Sequence, residues 1–285
     1  MSEKVRTEGR VSSPSSRYNK ESKNLRRYII ILGLAWTTAI LLVFSWHLWE
    51  VYENTLKTAR IQANDSLEKD LVYRRWAASH GGVYVPATKE TPPNPYLSHI
   101  KNRDITTITG QELTLVNPAY MTRQVHELGF KQYGHKGHIT SLNPIRPENA
   151  PDAWEAKALN GFDNGQNKLI ELAMIEGKEY LRLMRSMVTE ASCLKCHATQ
   201  GYKEGDIRGG ISVSLPMRPL RAIMNRNIAI VTIAYVVVWL LGLIGLGFGA
   251  SRMGKRLREN EKNILALRQK KNGTANYLKR LATHS

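Results

Sequence analysis

Cysteine is scarce in this sequence of 285 residues, which contains only Cys193 and Cys196. Neither thiol can form a disulfide with a distant segment, and no third thiol is left to act as a metal ligand from elsewhere in the chain. Both cysteines fall within CLKCH (193–197). The thiol chemistry of this protein is therefore confined to five consecutive residues.

Acidic residues are also few, with 24 Asp and Glu against 41 Lys and Arg, for a formal net charge of +17. The imbalance lies at the two ends: residues 1–27 carry eight basic and three acidic residues, and residues 251–285 carry ten and two. Residues 50–226 are nearly balanced, with 23 and 19. A nucleic-acid-binding protein concentrates positive charge on its folded domain, so this distribution argues against a nucleic-acid partner.

Charged residues are absent from 28–49 and 227–250, and each of these runs is long enough for a transmembrane helix of about 20 residues. A cleaved signal peptide is the alternative for the first run, but its apolar core would be only about 7–15 residues long. Trp46 and Trp49 suit a membrane interface. Basic flanks on both runs predict a bacterial inner-membrane protein with both termini in the cytoplasm and residues 50–226 in the periplasm.

The CLKCH sequence matches C-x-x-C-H, the attachment motif of c-type haem. Two thiols at this spacing reach the two vinyl groups of one porphyrin, and the adjacent His197 faces the iron as its proximal ligand. A thioredoxin-like pair would need a βαβ pattern, which we do not find, and a zinc site would need a fourth ligand from a distant histidine. A chance match is the remaining alternative. The motif predicts one covalent haem c.

Between the apolar runs, the pattern predicts an α+β fold: a PAS-like antiparallel sheet preceded by a long helix over 50–79. About five strands are expected. The segment 83–97 contains four prolines and is expected to be a loop. A helix is expected to start at Asn117-Pro118 and to end at Gly129, and Glu176-Gly177-Lys178 is expected to turn a β-hairpin.

Five segments follow from these observations. The tail 1–27 is basic and cytoplasmic, with residues 1–24 expected to be disordered. Residues 28–49 and 227–250 are transmembrane helices, and 50–226 is the haem domain. The segment 251–285 is a cytoplasmic signalling helix or tail. Its weak heptad pattern fits either a solvated basic helix or the seam of a homodimer. We recognise no kinase, cyclase or chemoreceptor module in it, so a separate output protein or redox partner is expected.

The second axial ligand of the iron is less well specified by the sequence. His80, beside Gly81-Gly82, and His138, at the start of a predicted strand, are the preferred distal candidates. The wider set is His99, His126, His135, Met121, Met174, Met184 and Met187. Arg74, Arg123 and Arg146 are candidates for contacts with the haem propionates.

Several stretches together resemble a family of periplasmic single-haem c domains with a PAS-like fold, long catalogued as a domain of unknown function: SHGGVYVP (79–86), TLVNPAYMTRQ (114–124), GHITSLNPIRPEN (137–149), TEASCLKCHA (189–198) and GDIRGGISVS (205–214). Members of that family precede histidine kinases, diguanylate cyclases or chemoreceptor modules. The resemblance implies a haem-based redox or small-ligand sensor for signal transduction.

Two functions remain open at this level. The first is a membrane-anchored haem c sensor, and the second is a membrane-anchored monohaem cytochrome c that transfers electrons. An enzyme is not expected, because no Ser/His/Asp or paired-carboxylate arrangement stands out.

Overall fold

A computed structural model describes residues 14–282, and the chain divides into two compact units. One unit is residues 51–225, and the other consists of the described residues before 51 and after 225. Two long helices, α1 (Pro14–Ser79) and α5 (Arg218–Ala282), run through both units. Each contains a stretch long and apolar enough to cross a membrane.

The apolar parts of α1 and α5 pack through two tryptophans. Trp36 Nε1 donates to the Trp239 carbonyl oxygen at 3.2 Å, and Trp239 Nε1 donates to Thr37 Oγ1 at 3.1 Å. Gly242 leaves room for the Trp36 ring, since a Cβ at this glycine would lie 2.3 Å from it. The other glycines of this stretch, at 245, 247 and 249, have no such neighbour within 4 Å. Close helix contact is thus made at one glycine of the four.

The unit of residues 51–225 is α+β, with two antiparallel sheets. A three-stranded sheet has the order β1-β3-β2, and a four-stranded sheet has the order β4-β7-β6-β5. The strands are β1 (Val83–Pro86), β2 (Asp104–Thr106), β3 (Glu112–Val116), β4 (Lys136–Thr140), β5 (Lys168–Ile175), β6 (Lys178–Val188) and β7 (Ile207–Pro216). The shorter helices are α2 (Pro118–Tyr133), α3 (Ala153–Asp163) and α4 (Leu194–His197).

The central strands β6 and β7 are buried on both faces, so Tyr180–Met184 of β6 form a continuous buried run whose side chains alternate between the two faces. Leu181 and Leu183 pack with the apolar stripe of α1, which includes Leu67 and two fully buried alanines, at 59 and 63. The opposite face carries Met184, which packs with Phe162 of α3. The core of the unit therefore lies between α1 and the sheet, with a second cluster beneath α3.

The hairpin around Glu176-Gly177 is confirmed, with β5 and β6 paired from Lys168↔Arg185 to Ile175↔Lys178. Four other expectations differ from the structure. Seven strands form where about five were expected. Residues 14–24, expected to be disordered, belong to α1, and residues 1–13 lie outside the described part of the structure. The helix predicted to end at Gly129 continues to Tyr133, where Gly134 (φ 73°) caps it, because Asn117 satisfies its first turn and the glycine inside is tolerated. The predicted loop 83–97 begins with strand β1, because Pro86 ends an edge strand, where no ladder hydrogen bond is lost.

Candidate functional site

The CLKCH segment follows β6 and forms a tight helical turn. Cys193 ends a short 3-10 helix, and Leu194–His197 is a single turn of α-helix, α4. Cys193 is half-buried, and its Sγ accepts a hydrogen bond from the Glu190 backbone N–H at 3.4 Å. The side chains of Lys195 and Cys196 lie outside the described part of the structure.

His197 is held in a defined tautomer by two neighbours. Its Nδ1 lies 2.6 Å from Gln200 Oε1, and its Nε2 lies 3.0 Å from Arg208 Nη1. An amide oxygen only accepts and a guanidinium only donates, so Nδ1–H donates to Gln200 and the Nε2 lone pair accepts from Arg208. Gln200 is itself fixed, since its Nε2 donates to the Asn143 carbonyl oxygen at 3.0 Å.

Burial lowers the pKa of His197. The hydrogen bond to Gln200 opposes this shift, and the positive charges of Arg208 and Arg74 add to it. The imidazole is therefore neutral at pH 7. A neutral imidazole is the form that binds a metal, and here the Nε2 lone pair that would do so accepts from Arg208.

Two guanidinium groups stand beside His197. Arg74 of α1 is only 7% exposed, and its Nη1 donates to the Pro118 carbonyl oxygen at 3.3 Å and to Thr122 Oγ1 at 3.2 Å. Burial lowers the pKa of Arg74 to about 10; the charge of Arg208 adds to this effect, and Cys193 and Asp70 oppose it. Arg208 is the second residue of strand β7; its side chain is half-buried, and its Nε is buried without a hydrogen-bond partner among the described residues.

Two cavities meet at these residues. One has a volume of about 710 Å³ and the other about 660 Å³, and both are lined by Arg74, Met187, His197 and Arg208. Cys193 lines the smaller cavity. Volumes of about 300–1,000 Å³ are typical of cofactor pockets. A thiol, a neutral imidazole, an apolar wall, the buried guanidinium of Arg74 and the half-buried Arg208 with its unpartnered Nε together suit the haem that CLKCH predicts.

Three other predicted residues lie on the wall of the larger cavity, each with a partner of its own. Arg123 lies 3.7 Å from Glu127 and stacks on the Tyr120 ring at 4.4 Å. Arg146 lies 3.1 Å from Glu148. His138 of β4 has Nδ1 2.9 Å from Glu155 Oε2 and Nε2 3.2 Å from the Glu148 carbonyl oxygen.

Both ring nitrogens of His138 thus face acceptors, which favours the imidazolium form. Burial lowers the pKa of His138, but the hydrogen bond and negative charge of Glu155 outweigh it, and the net shift is upward. Glu155 is 2% exposed and also accepts from Ser212 Oγ at 2.6 Å. Arg182 completes this network, with Nη2 2.7 Å from Asp152 Oδ2 and 3.5 Å from Glu155 Oε1.

His80 lies outside both cavities, at the end of α1. Its ring is exposed and sits 4.6 Å from the Trp76 ring, and its Nδ1 is 2.8 Å from the Trp76 carbonyl oxygen. Of the wider set of distal candidates, Met187 lines both cavities, and His126 lines the larger one, where it pairs with Asp70 at 2.8 Å. The identity of the distal ligand stays a prediction.

Three features of the site were not predicted from the sequence: Arg208, Gln200 and the network around Glu155. Arg208 directly precedes Gly209-Gly210 in a predicted strand. From the sequence alone, a charged residue at this position is expected to face the solvent, so it did not stand out as a site residue. Gly210 matters for packing, since a Cβ at this position would lie 2.4 Å from Met184. Within residues 14–282, no group of three or more His, Cys, Asp or Glu side chains has the arrangement of a metal site.

A family model described as Tll0287-like matches residues 50–216. Among solved structures, the chain is similar to the "Crystal structure of the cyanobacterial heme-protein Tll0287", with 21% identity and a TM-score of 0.30. That alignment covers 35% of this chain and 73% of the other. No curated protein matches the chain. Because the family match spans more than half of the chain and contains CLKCH, Arg74 and Arg208, this protein belongs to the Tll0287-like family.

Proposed function

We propose that the chain is a membrane-anchored sensor that carries one covalent c-type haem. Cys193 and Cys196 form the thioether bonds, and His197 is the proximal iron ligand. The observation that carries this proposal is the geometry of His197. It ends a C-x-x-C-H motif, donates from Nδ1 to Gln200, accepts at Nε2 from Arg208 and lines both cavities.

The two thiols of this chain would hold the haem through its two vinyl groups. Each thiol would add across one vinyl group, with sulfur bonding to one carbon and hydrogen to the other, so the addition would consume no oxidant and release no leaving group. Gln200 acts as an outer partner that orients the imidazole and raises its basicity, as acceptors of the second ring N–H do for metal-bound histidine. Bound in this way, haem supplies an iron that can change its oxidation state or take a small ligand.

The connection of the site to both long helices supports a sensor. Arg74 is part of α1, whose N-terminal portion is one candidate membrane span. Arg208 is part of β7, which leads through Met217 directly into α5, the other candidate span. A change of charge or ligation at the iron would therefore act on the two elements that leave the haem-binding unit.

The finer assignments belong to the same proposal. The α+β unit is PAS-like and periplasmic, and both termini are cytoplasmic in a bacterial inner membrane. The basic segments outside the two candidate spans support this orientation. The protein acts as a homodimer on a separate output protein and is not an enzyme. Electron transfer to a redox partner is the competing function, and the test below separates the two.

The first arm of the test measures haem attachment. The full chain is expressed in a bacterium that matures c-type cytochromes, and haem is followed by haem staining of denaturing gels and by pyridine haemochrome spectra. We expect one haem per wild-type chain, none in Cys193→Ala/Cys196→Ala, and altered axial ligation in His197→Ala. Haem that dissociates from the wild-type chain on denaturation would overturn the covalent assignment.

The second arm measures signalling. Hydrogen–deuterium exchange of the detergent-solubilised protein is compared between the reduced and oxidised states. A sensor predicts altered exchange in the periplasmic part of α1 and around the start of α5. Equal exchange in the two states, together with rapid electron exchange with soluble acceptors, would instead identify an electron-transfer cytochrome.

A further inference from the structure

Arg74 and Arg208 approach His197 from opposite ends of the unit's sequence. Arg74 is in the last third of α1, and Arg208 is near the start of β7. Both line the two cavities, and the positive charge of each acts on the imidazole of His197. The fold has thus brought two cations to one side chain.

Neither cation has a carboxylate partner among the described residues. The hydrogen bonds of Arg74 go to a carbonyl and a hydroxyl, and Arg208 donates to a neutral imidazole. The carboxylate of the nearby Asp70 pairs with the His126 ring at 2.8 Å. Arg123, Arg146 and Arg182, by contrast, lie 3.7, 3.1 and 2.7 Å from a carboxylate.

A buried charge without a counter-charge is costly, because desolvation is not offset by an ion pair. Burial is already strong enough to hold the pKa of Arg74 at about 10. Arg208 Nε is buried and unpartnered. Its Nη1 also donates to the His197 lone pair that an iron would use, so iron ligation would leave that donor without its acceptor as well.

We propose that Arg74 and Arg208 bind the two propionate carboxylates of the haem, an inference that rests on the proposed function. Haem carries two such carboxylates, and a guanidinium can hold a carboxylate through two parallel hydrogen bonds. Arg123 and Arg146, which the sequence also suggested for this role, remain with Glu127 and Glu148. The two propionates would then balance the positive charges of the buried Arg74 and the half-buried Arg208.

This pairing has an electrochemical consequence. Propionate charge favours the ferric iron, and a guanidinium that neutralises it favours the ferrous iron. Removal of either arginine should therefore shift the reduction equilibrium toward the ferric form by about three- to tenfold. A tenfold shift corresponds to about 59 mV for a one-electron couple.

The test uses the full haem-loaded chain in detergent, with Arg74→Gln, Arg208→Gln and the matched controls Arg123→Gln and Arg146→Gln. Redox titration gives the midpoint potential, and resonance Raman spectra give the propionate bending bands. We expect lower midpoint potentials and altered propionate bands in Arg74→Gln and Arg208→Gln, and wild-type values in the two control variants. Arg→Lys at 74 or 208 should restore much of the potential but not the bands, because Lys keeps the charge and loses the paired geometry.

Equal shifts of the midpoint potential in all four Gln variants would overturn the inference, and so would unchanged potentials in Arg74→Gln and Arg208→Gln. In either case, covalent haem in the wild-type chain would leave the proposed function intact. If a Gln variant does not accumulate, the Lys variant at the same position is used for the test. Propionate bands identical to those of the wild type in that Lys variant would overturn the inference. Absence of covalent haem in the wild-type chain would instead refute the proposed function itself.

Discussion

Glu155 is a buried acid on which three parts of the fold converge. It caps α3 through its interaction with Asp152, and it accepts hydrogen bonds from His138 of β4 and Ser212 of β7. Arg182 of β6 lies within ion-pair distance, at 3.5 Å. Because all of these donors point at one carboxylate, the loss of its charge would leave several buried polar groups without an acceptor.

We predict that Glu155→Gln destabilises the protein by about 3 kcal/mol, since one partner of a buried charge network is removed. Burial alone raises the pKa of Glu155, but the hydrogen bonds and charge of its partners outweigh it and lower the pKa. The stabilisation by Glu155 is therefore present above about pH 4.3, its unfolded value, and is lost as the pH falls through the folded pKa.

At higher pH, the stabilisation by Glu155 is limited by the protonation state of its partner His138. Its pKa is raised, so its stabilisation is full below about pH 6.5 and is lost as the pH rises through the folded pKa. Denaturant unfolding at pH 4, 5.5 and 8 should show the largest difference between wild type and Glu155→Gln at pH 5.5. Glu127→Gln, which removes an exposed pair with Arg123, should cost about 0.5 kcal/mol or less. A pH-independent effect of Glu155→Gln would contradict this account.

Helix α2 shows how an element's length is decided by its caps. Asn117 accepts from the Tyr120 N–H at the start, and Gly134 takes a left-handed conformation at the end. Gly129 lies inside the helix, and a Cβ there would have no neighbour within 4 Å. The interior glycine is therefore a local weakness in a helix that is capped elsewhere.

We predict opposite effects of alanine at the two glycines of α2. Gly129→Ala should stabilise the protein by about 0.5–1 kcal/mol, because alanine has the higher helix propensity and meets no obstacle. Gly134→Ala should destabilise it by about 1 kcal/mol or more, because φ is 73° at this position. Denaturation midpoints of the two variants are compared with wild type. Destabilisation by Gly129→Ala would mean that the helix ends at this glycine.

At the scale of the whole molecule, the two long helices carry both a folded unit and the candidate membrane spans. The spans contact each other through Trp36 and Trp239, and Gly242 gives the room for this contact. Gly245, less than one turn further along α5, has open space around it. The two glycines therefore provide a matched pair for testing how the spans pack.

We predict that Gly242→Val lowers the thermal stability of the intact protein in detergent, because the new side chain would overlap the Trp36 ring. Overpacking of this kind costs about 1–3 kcal/mol. Gly245→Val should behave like wild type. Circular dichroism of the helices during heating measures both variants, and an equal loss in both would show that the effect comes from helix propensity rather than from contact with Trp36.

The features that the sequence determined by itself are those encoded over a short distance. CLKCH, the two uncharged runs, the apolar stripe over 50–79 and the Glu176-Gly177 turn all depend on residues a few positions apart. Spacing alone therefore predicts the haem motif, the candidate spans, the α+β class and the hairpin. The extent of α2 and strand β1 were predicted wrongly, because a cap and an edge pairing outweighed the local signals of Gly129 and Pro86.

The tertiary structure alone decided which arginines lack a carboxylate partner among the described residues. In the sequence, Arg74, Arg123 and Arg146 are equivalent candidates, and Arg208 is one basic residue among many. Folding gives Arg123 and Arg146 a carboxylate each and buries Arg74 beside Arg208, which is 134 positions away in the chain. Burial and ion pairing across such a distance depend on how α1 packs against the sheet, and no local pattern encodes them.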